Sequence, residues 1–296
     1  MAEQQSFDDR DGWIWMDGRL VPWREANVHV LTHALHYASS VFEGQRAYNG
    51  TIFKLSEHSE RLRNSASLLG FDLPWSVAEI DAACIEVLKA SEMTDAYLRP
   101  VAWRGSEQMG VSPKGTKPHL AIACWYWGKY FDEAKAAKGI RLDMAPWRRP
   151  APYTAPVHSK AAGLYMIATM SKAHADARGY DDALMLDWRG QVAEATGANA
   201  FFVRDGKLYT PTPDCFLDGI TRRTVIDLAR QRGIEVIEKA IWPEELESFE
   251  QFFLTGSAAE VTLVQSAGPW SFEIGALSRT LQADYDALVN GRAINR

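Results

Sequence analysis

Glu194-Ala195-Thr196-Gly197-Ala198-Asn199-Ala200-Phe201, then Leu208-Tyr209-Thr210, then Leu217-Asp218-Gly219-Ile220-Thr221-Arg222-Arg223, is the stretch on which the reading of this chain turns. Asp205-Gly206 lies inside it, a two-residue hairpin signal after a strand expected over 200–204. Leu217–Arg223 joins a glycine turn to the start of a helix expected over 221–232. Backbone N–H groups there, with the Thr221 hydroxyl, suit an anion such as a phosphate, and an ordinary capped helix fits the same letters. Thr255-Gly256-Ser257-Ala258-Ala259-Glu260 follows an apolar strand and offers either a second anion nest or a plain turn. Upstream, His158-Ser159-Lys160-Ala161-Ala162-Gly163 sets one lysine among small residues ahead of an apolar helix. Burial would lower the pKa of such an amine and make it a nucleophile; a solvated lysine has the same neighbours in sequence.

Outward from that stretch, the first half reads as hairpins at Asp17-Gly18 and Asn49-Gly50, a helix capped by Ser56 and stopped by Gly70, and a second helix over 76–91. Strands at 96–104 and 118–127 follow, an α+β pattern. The apolar signal lapses near Gly128–Lys138 and resumes as strand, helix 164–178, and further strands and helices. The expectation is a small N-terminal domain (1–130), a linker (131–138) and a larger C-terminal domain (139–296), with a small-molecule site at the junction.

The 296 residues, 47% hydrophobic and 24% charged, carry a formal net charge of −6, which argues against nucleic-acid or anionic-membrane partners. No apolar run approaches the roughly 18 residues of a membrane span, and the polar, acidic start does not resemble a signal peptide. Cys84, Cys124 and Cys215 are scattered and lack metal-ligand spacing, so reduced thiols and a cytoplasmic protein are expected. Eleven Trp exceed what a core needs and point to a pocket or an interface. His33 and His36 are three apart without an acidic or Cys companion, which favours hydrogen bonding over a metal, and no metal is expected. Nucleotide-binding glycine motifs, G-x-S-x-G and H-E-x-x-H are all missing from the sequence.

The order and spacing from Glu194 to Arg222 resemble the signature of the class IV aminotransferases, and the chain from about Trp13 to its last helix is similar to bacterial branched-chain amino acid aminotransferases. Supporting segments are His33–Tyr37, Ser40–Gly44, His58–Leu62, Ala96–Pro100, Met109–Val111 and Trp127–Tyr130. The resemblance implies fold type IV, a two-domain α/β (α+β) protein that binds pyridoxal 5'-phosphate at the junction. It implies Lys160 as the catalytic Schiff-base lysine that also shuttles a proton, Glu194 against the pyridine nitrogen and Tyr165 donating to the phenolate oxygen. It puts Arg61, Ile220, Thr221 and Ser257 on the phosphate, Leu217 on a ring face, and Thr196, Gly197, Gly219 and Gly256 close by.

For the substrate, the resemblance implies Tyr97 and the Ser257-Ala258-Ala259 backbone around the α-carboxylate. Phe42, Val111, Trp127 and Tyr130 would form an apolar pocket, with Arg99 receiving the second carboxylate of glutamate, though a structural salt bridge also fits Arg99. Tyr37 and Val111 would reach the neighbouring subunit, so a homodimer, alone or within a larger homo-oligomer, is the expected active unit. The implied activity is ping-pong exchange of an amino group between leucine, isoleucine or valine and 2-oxoglutarate. The fold also hosts D-amino acid and (R)-amine transaminases and aminodeoxychorismate lyase, and a non-catalytic carrier is a further alternative. The chain departs from the family pattern at Arg148-Arg149, at Trp103-Arg104 and Trp125-Tyr126-Trp127, and in having Ser257 where threonine is expected. These departures bear on the preferred side chain rather than on the cofactor.

Overall fold

The three Asx-Gly pairs expected as hairpin turns do what their chemistry demands. Asp17, Gly18, Asn49, Gly50, Asp205 and Gly206 all take positive φ, between 49° and 100°, which two-residue hairpins require at both turn positions. The structure is a computed structural model that describes residues 6–128 and 137–294. Its residues fall into two compact units: Met1–Trp127 with Ser159–Gly163, and Gly128–His158 with Leu164–Arg296. The expected linker, 131–138, lies outside the described residues except for its last two positions.

In the first unit, β1 (Trp13–Met16), β2 (Arg19–Pro22), β3 (Ser40–Phe42), β4 (Gln45–Tyr48), β5 (Thr51–Ile52), β6 (Ala96–Arg104) and β7 (Pro118–Trp125) form one sheet. Its order is β2-β1-β7-β6-β4-β5, with β3 also paired to β6. After the short α1 (His33–Tyr37), α2 (Leu55–Leu68) and α3 (Val77–Ala90) pack on the sheet, burying Leu62, Ala66, Ile80, Cys84 and Val87 against Val41, Leu98 and Ile122. Ser76 opens α3 with a full capping box to Glu79. Ser56 does not open α2, contrary to expectation. Lys54 is the cap residue, and the Ser56 hydroxyl instead donates to Asp81 of α3, 2.5 Å away.

In the second unit, β8 (Ile140–Met144), β9 (Asp182–Leu186), β10 (Val192–Ala195), β11 (Asn199–Arg204), β12 (Lys207–Pro211), β13 (Val236–Lys239), β14 (Gln251–Gly256), β15 (Glu260–Ala267) and β16 (Trp270–Ser271) make the second sheet. Its order is β10-β9-β8-β15-β14-β11-β12-β13, with β16 on β15. β10 also pairs with β11 through Glu194 and Asn199, so six strands close into a ring at that point. Helices α4 (Met166–Ala177), α5 (Ile220–Gln231) and α6 (Ala276–Val289) complete the unit. The core is a phenylalanine stack, Phe202 on Phe252 and Phe249, with Phe201 on Phe253 on the opposite sheet face. Among the described residues, no helix is long and apolar enough to cross a membrane.

Candidate active site

Lys160 is held through its backbone. Its N–H donates to Ser65 Oγ (3.0 Å), its carbonyl accepts from Phe42 N–H (3.1 Å), and Ala161 forms a bridge to Val41 of β3. The neighbouring Ser159 hydroxyl donates to the Ser65 carbonyl, so one buried serine of α2 fixes both residues. The small residues flanking Lys160 are what let this extended segment lie against β3 and α2. Its Nζ sits 5.2 Å from the centre of the Phe42 ring, within cation–π range.

The same ring carries the Arg99 guanidinium on it, at 4.6 Å. Arg99 Nη2 donates to the Tyr97 hydroxyl (2.8 Å), while its buried Nε has no hydrogen-bond partner among the described residues. Tyr97 packs against Trp125 and Trp127, each at 5.1 Å between ring centres. Gly44 is required here, because a Cβ would strike the Tyr97 hydroxyl. Phe42, Tyr97, Arg99 and Trp127 therefore belong to one aromatic cluster around a cation. Tyr37 and Val111 stay solvent-exposed, Val111 at 82%, and Tyr130 lies outside the described residues.

Arg61 has a partner that sequence reasoning missed. Its Nε and Nη2 donate to the two oxygens of Glu43 (2.6 and 2.8 Å), a carboxylate with no exposed surface, and His58 Nδ1 donates to the same group at 2.7 Å. Burial pushes the Glu43 carboxyl up, but the Arg61 charge and these hydrogen bonds outweigh it and hold the group well below the usual range. Burial holds His58 below the ordinary imidazole value, so it serves as a neutral donor at pH 7.

In the second unit, Asn199 Nδ2 donates to Glu194 Oε2 (3.1 Å) and to the Leu217 carbonyl (3.0 Å), tying the carboxylate to the loop before α5. A Cβ at Gly219 would strike Asn199 Oδ1, which explains that glycine. Gly219 caps α5 without a side-chain bond, so the first N–H groups of the helix, at Ile220 and Thr221, have no intrahelical acceptor. Thr196 donates its hydroxyl to the buried Asp182 (2.5 Å), and its backbone N–H bonds the same carboxylate. Gly256 fits closely against the Gly197 carbonyl, and the neighbouring Thr255 Oγ1 is buried with no partner among the described residues. Ser257, Ala258 and Ala259 follow in a half-buried turn, and Tyr165 ends a 3-10 turn (Ala162–Tyr165) that leads into α4. Free helix N–H groups, glycine cradles, an unused hydroxyl and a nearby carboxylate suit a phosphate and a protonated ring nitrogen; the residues present fit such a cofactor.

Chain residues 40–267 match the family described as amino-transferase class IV. The chain belongs to that family. A probable branched-chain-amino-acid aminotransferase of Rickettsia felis is 47% identical to this class IV aminotransferase over 253 residues, 86% of each chain. The branched-chain aminotransferase of Thermoproteus uzoniensis, solved with norvaline, superimposes with a TM-score of 0.91 at 38% identity, covering 96% of both chains. The Thermobaculum terrenum branched-chain amino acid aminotransferase, solved in its PLP form, gives 0.87 at 31% identity over 96% of this chain and 95% of that one.

Three further observations separate scaffold from site. Arg222, quoted in the signature without a role, is buried in α5 and bonded to Asp218, Glu238, Thr210 Oγ1 and the Pro211 carbonyl. It pins α5 to β12 and β13. Arg222→Ala is expected to cost about 3 kcal/mol by emptying a fully buried position and removing the donors that tie α5 to β12, read as a lower urea midpoint at unchanged m-value. Asp187, Asp214 and Cys215 gather their ligand atoms within 4.8 Å, but Arg189 pairs with both carboxylates, and burial pushes the Cys215 thiol up to about 12. His33 bonds Ser39 and the Gly110 carbonyl, and His36 the Val30 carbonyl, the hydrogen-bonding role expected of that pair.

Proposed function

We propose that this protein is a pyridoxal-phosphate-dependent branched-chain amino acid aminotransferase, exchanging the amino group between L-leucine, L-isoleucine or L-valine and 2-oxoglutarate in two half-reactions. The observation that carries this reading is the pairing of Lys160 Nζ and the Arg99 guanidinium on one aromatic ring, Phe42. An amine placed beside an aromatic wall that also holds a cation suits a pocket that must accept both an isobutyl group and a carboxylate.

When bound, the cofactor supplies an electron sink for the bond-breaking step at the substrate Cα. The chain's residues do the rest. Lys160 carries the cofactor and then moves the proton at Cα. Glu194 holds the ring-nitrogen proton, and Tyr165 donates to the ring oxygen. Arg61, Ile220, Thr221, Gly256 and Ser257 bind the phosphate, while Leu217, Gly219, Gly197 and Thr196 shape the ring site. Tyr97 and the Ser257-Ala258-Ala259 backbone orient the α-carboxylate. Phe42, Trp127 and Tyr130, with Val111 of the neighbouring subunit, exclude water from the side chain, and Arg99 engages the γ-carboxylate of glutamate.

Exposed Val30, Leu31, Leu35, Tyr37 and Val111 support a homodimer in which this face is covered. Free, buried Cys84, Cys124 and Cys215 accord with a reducing, cytoplasmic setting. The experiment is a donor panel with 2-oxoglutarate and pyruvate as acceptors. L-leucine, L-isoleucine and L-valine should lead, and L-leucine or L-glutamate should bleach the bound cofactor's visible absorption. Faster turnover of D-alanine or an (R)-amine, or pyruvate release with no acceptor present, would overturn the assignment.

A further inference from the structure

His33 is the buried member of the histidine pair, and it stands between two segments that carry exposed apolar residues. One is α1, where Leu35 and Tyr37 are exposed. The other is the loop over 105–117 that joins β6 to β7, where Met109 and Val111 are. Neither segment is held by its own structure. α1 has five residues, too few to stand as an isolated helix, and its Thr32 cap makes no side-chain bond. The loop is closed at its base, where Gly105 N–H donates to the Lys117 carbonyl and Glu107 accepts from Lys117 N–H and pairs with His119. Further out, among the described residues, the one hydrogen bond to Met109, Gly110 or Val111 comes from His33.

The His33 side chain spans the two segments. Its Nε2 lies 3.0 Å from the Gly110 carbonyl oxygen, its Nδ1 2.7 Å from Ser39 Oγ, and its ring packs on Tyr37 at 4.7 Å between centres. A carbonyl oxygen only accepts, so Nε2 carries a proton and donates to Gly110. Ser39 gives the ring a fixed orientation, because its own carbonyl is tied to Arg104 N–H at the end of β6 (3.1 Å). The backbone N–H of His33 donates to the Gly105 carbonyl (2.9 Å). One residue thus bonds the loop at its start and at its tip while packing against Tyr37, so neither Tyr37 nor Val111 shifts without the other.

On the reading proposed above, that Tyr37 and Val111 reach the neighbouring subunit's pocket, we infer that His33 is a positioning residue for that pocket. It locks the two residues into one arm, and it acts on the neighbouring subunit's substrate rather than on its own subunit's. Without the bond to Gly110 the loop tip keeps only its base, and ordering the arm over the substrate side chain must be done at each binding event. The loss falls on binding and leaves proton transfer by Lys160 intact.

The test uses the holoenzyme with L-leucine and 2-oxoglutarate. His33→Phe fills the place with a ring that cannot donate, and should raise KM for L-leucine about tenfold with kcat within about threefold of the parent. His33→Gln, whose amide can donate to Gly110, should return most of the affinity. Ser39→Ala releases the other ring nitrogen; it replaces His33→Phe if that protein does not fold, and should raise KM about threefold.

Mixed dimers, co-expressed with two affinity tags, place the effect in one subunit or the other. His33→Phe paired with Lys160→Ala has one working site, served by the intact His33 of the other chain, and should show the parent KM. The parent paired with the double variant His33→Phe/Lys160→Ala has one working site served by a loosened arm, and should show the raised KM. The reverse pattern, a raised KM in both pairings, or an unchanged KM in His33→Phe itself overturns the inference. Val111→Gly in the same two pairings tells the failures apart. If its effect stays in the chain that carries it, or no mixed dimer forms, the reading of the neighbouring pocket is wrong. If its effect crosses to the other chain while that of His33→Phe does not, only the role of His33 is.

Discussion

Lys160→Ala should yield a folded protein whose amino transfer from L-leucine to 2-oxoglutarate falls by about 10⁴-fold or more. Folding should survive because the backbone of this position is itself anchored. The N–H to Ser65, the carbonyl to Phe42 and the bridge at Val41 are all kept when the side chain is cut at Cβ. The lost contact of Nζ with the Phe42 ring is worth about 1 kcal/mol at this partly buried site. Activity should not survive, because the amine that carries the cofactor and moves the Cα proton is gone, and no second lysine lies in the segment that β3 and α2 hold. Initial rates, with far-UV circular dichroism as the control for folding, make the check. More than about 1% residual rate would take proton transfer at Cα away from Lys160.

How much of this could be read beforehand depended on the distance over which each interaction acts. Asp17-Gly18, Asn49-Gly50 and Asp205-Gly206 were legible because a two-residue turn is decided by the φ its own residues tolerate. The helix expected from Ser76 was legible as well, and the box that Ser76 forms with Glu79 lies within one helical turn. Ser56 was expected as a cap and is not one, because its hydroxyl is claimed by Asp81, 25 residues on, and no local rule weighs that competitor.

The site divides along the same line. The motif letters marked Lys160, Glu194 and the helix start at Gly219, but not what supports them. Glu43 lies 18 residues before Arg61 and reads as one more acidic residue near a glycine until the fold buries it. Asn199 was a letter of the signature with no task, although it is the link between Glu194 and the Leu217 loop. Its position was informative in retrospect: a polar residue opening an apolar strand, five after a carboxylate, sits where that strand closes the ring with β10. Arg149 stood out as an anomaly, and nothing near it in sequence tells that its Nε lies 3.3 Å from Glu194 Oε1. Most supports of this kind join residues well apart in the chain, and each half alone resembles an ordinary polar residue.

The largest effect on stability should come from the hidden member of the Arg61 pair. Glu43→Gln removes a fully buried negative charge and leaves the Arg61 guanidinium, a side chain only 15% exposed, against a neutral amide. Breaking one half of a buried pair strands the other, a cost of about 3–5 kcal/mol that exceeds any loss of packing from a substitution of equal size. The double variant Glu43→Gln/Arg61→Met should recover part of that cost, because the stranded charge goes with it. The parent protein should also weaken in acid, in two stages. His58 is held below its unfolded value, so the unfolded chain binds a proton first and stability declines as pH falls below about 6.5. Glu43 is depressed as well, so its contribution, complete above the unfolded value of about 4.3, drains away below it. Urea unfolding of the parent, both single variants and the double variant, from pH 7.5 down to about 2.5, tests the whole scheme. A single-variant cost under about 1 kcal/mol would make the pair equivalent to an exposed one. A parent stability unchanged between pH 7 and 5 would mean that His58 is not held neutral in the fold.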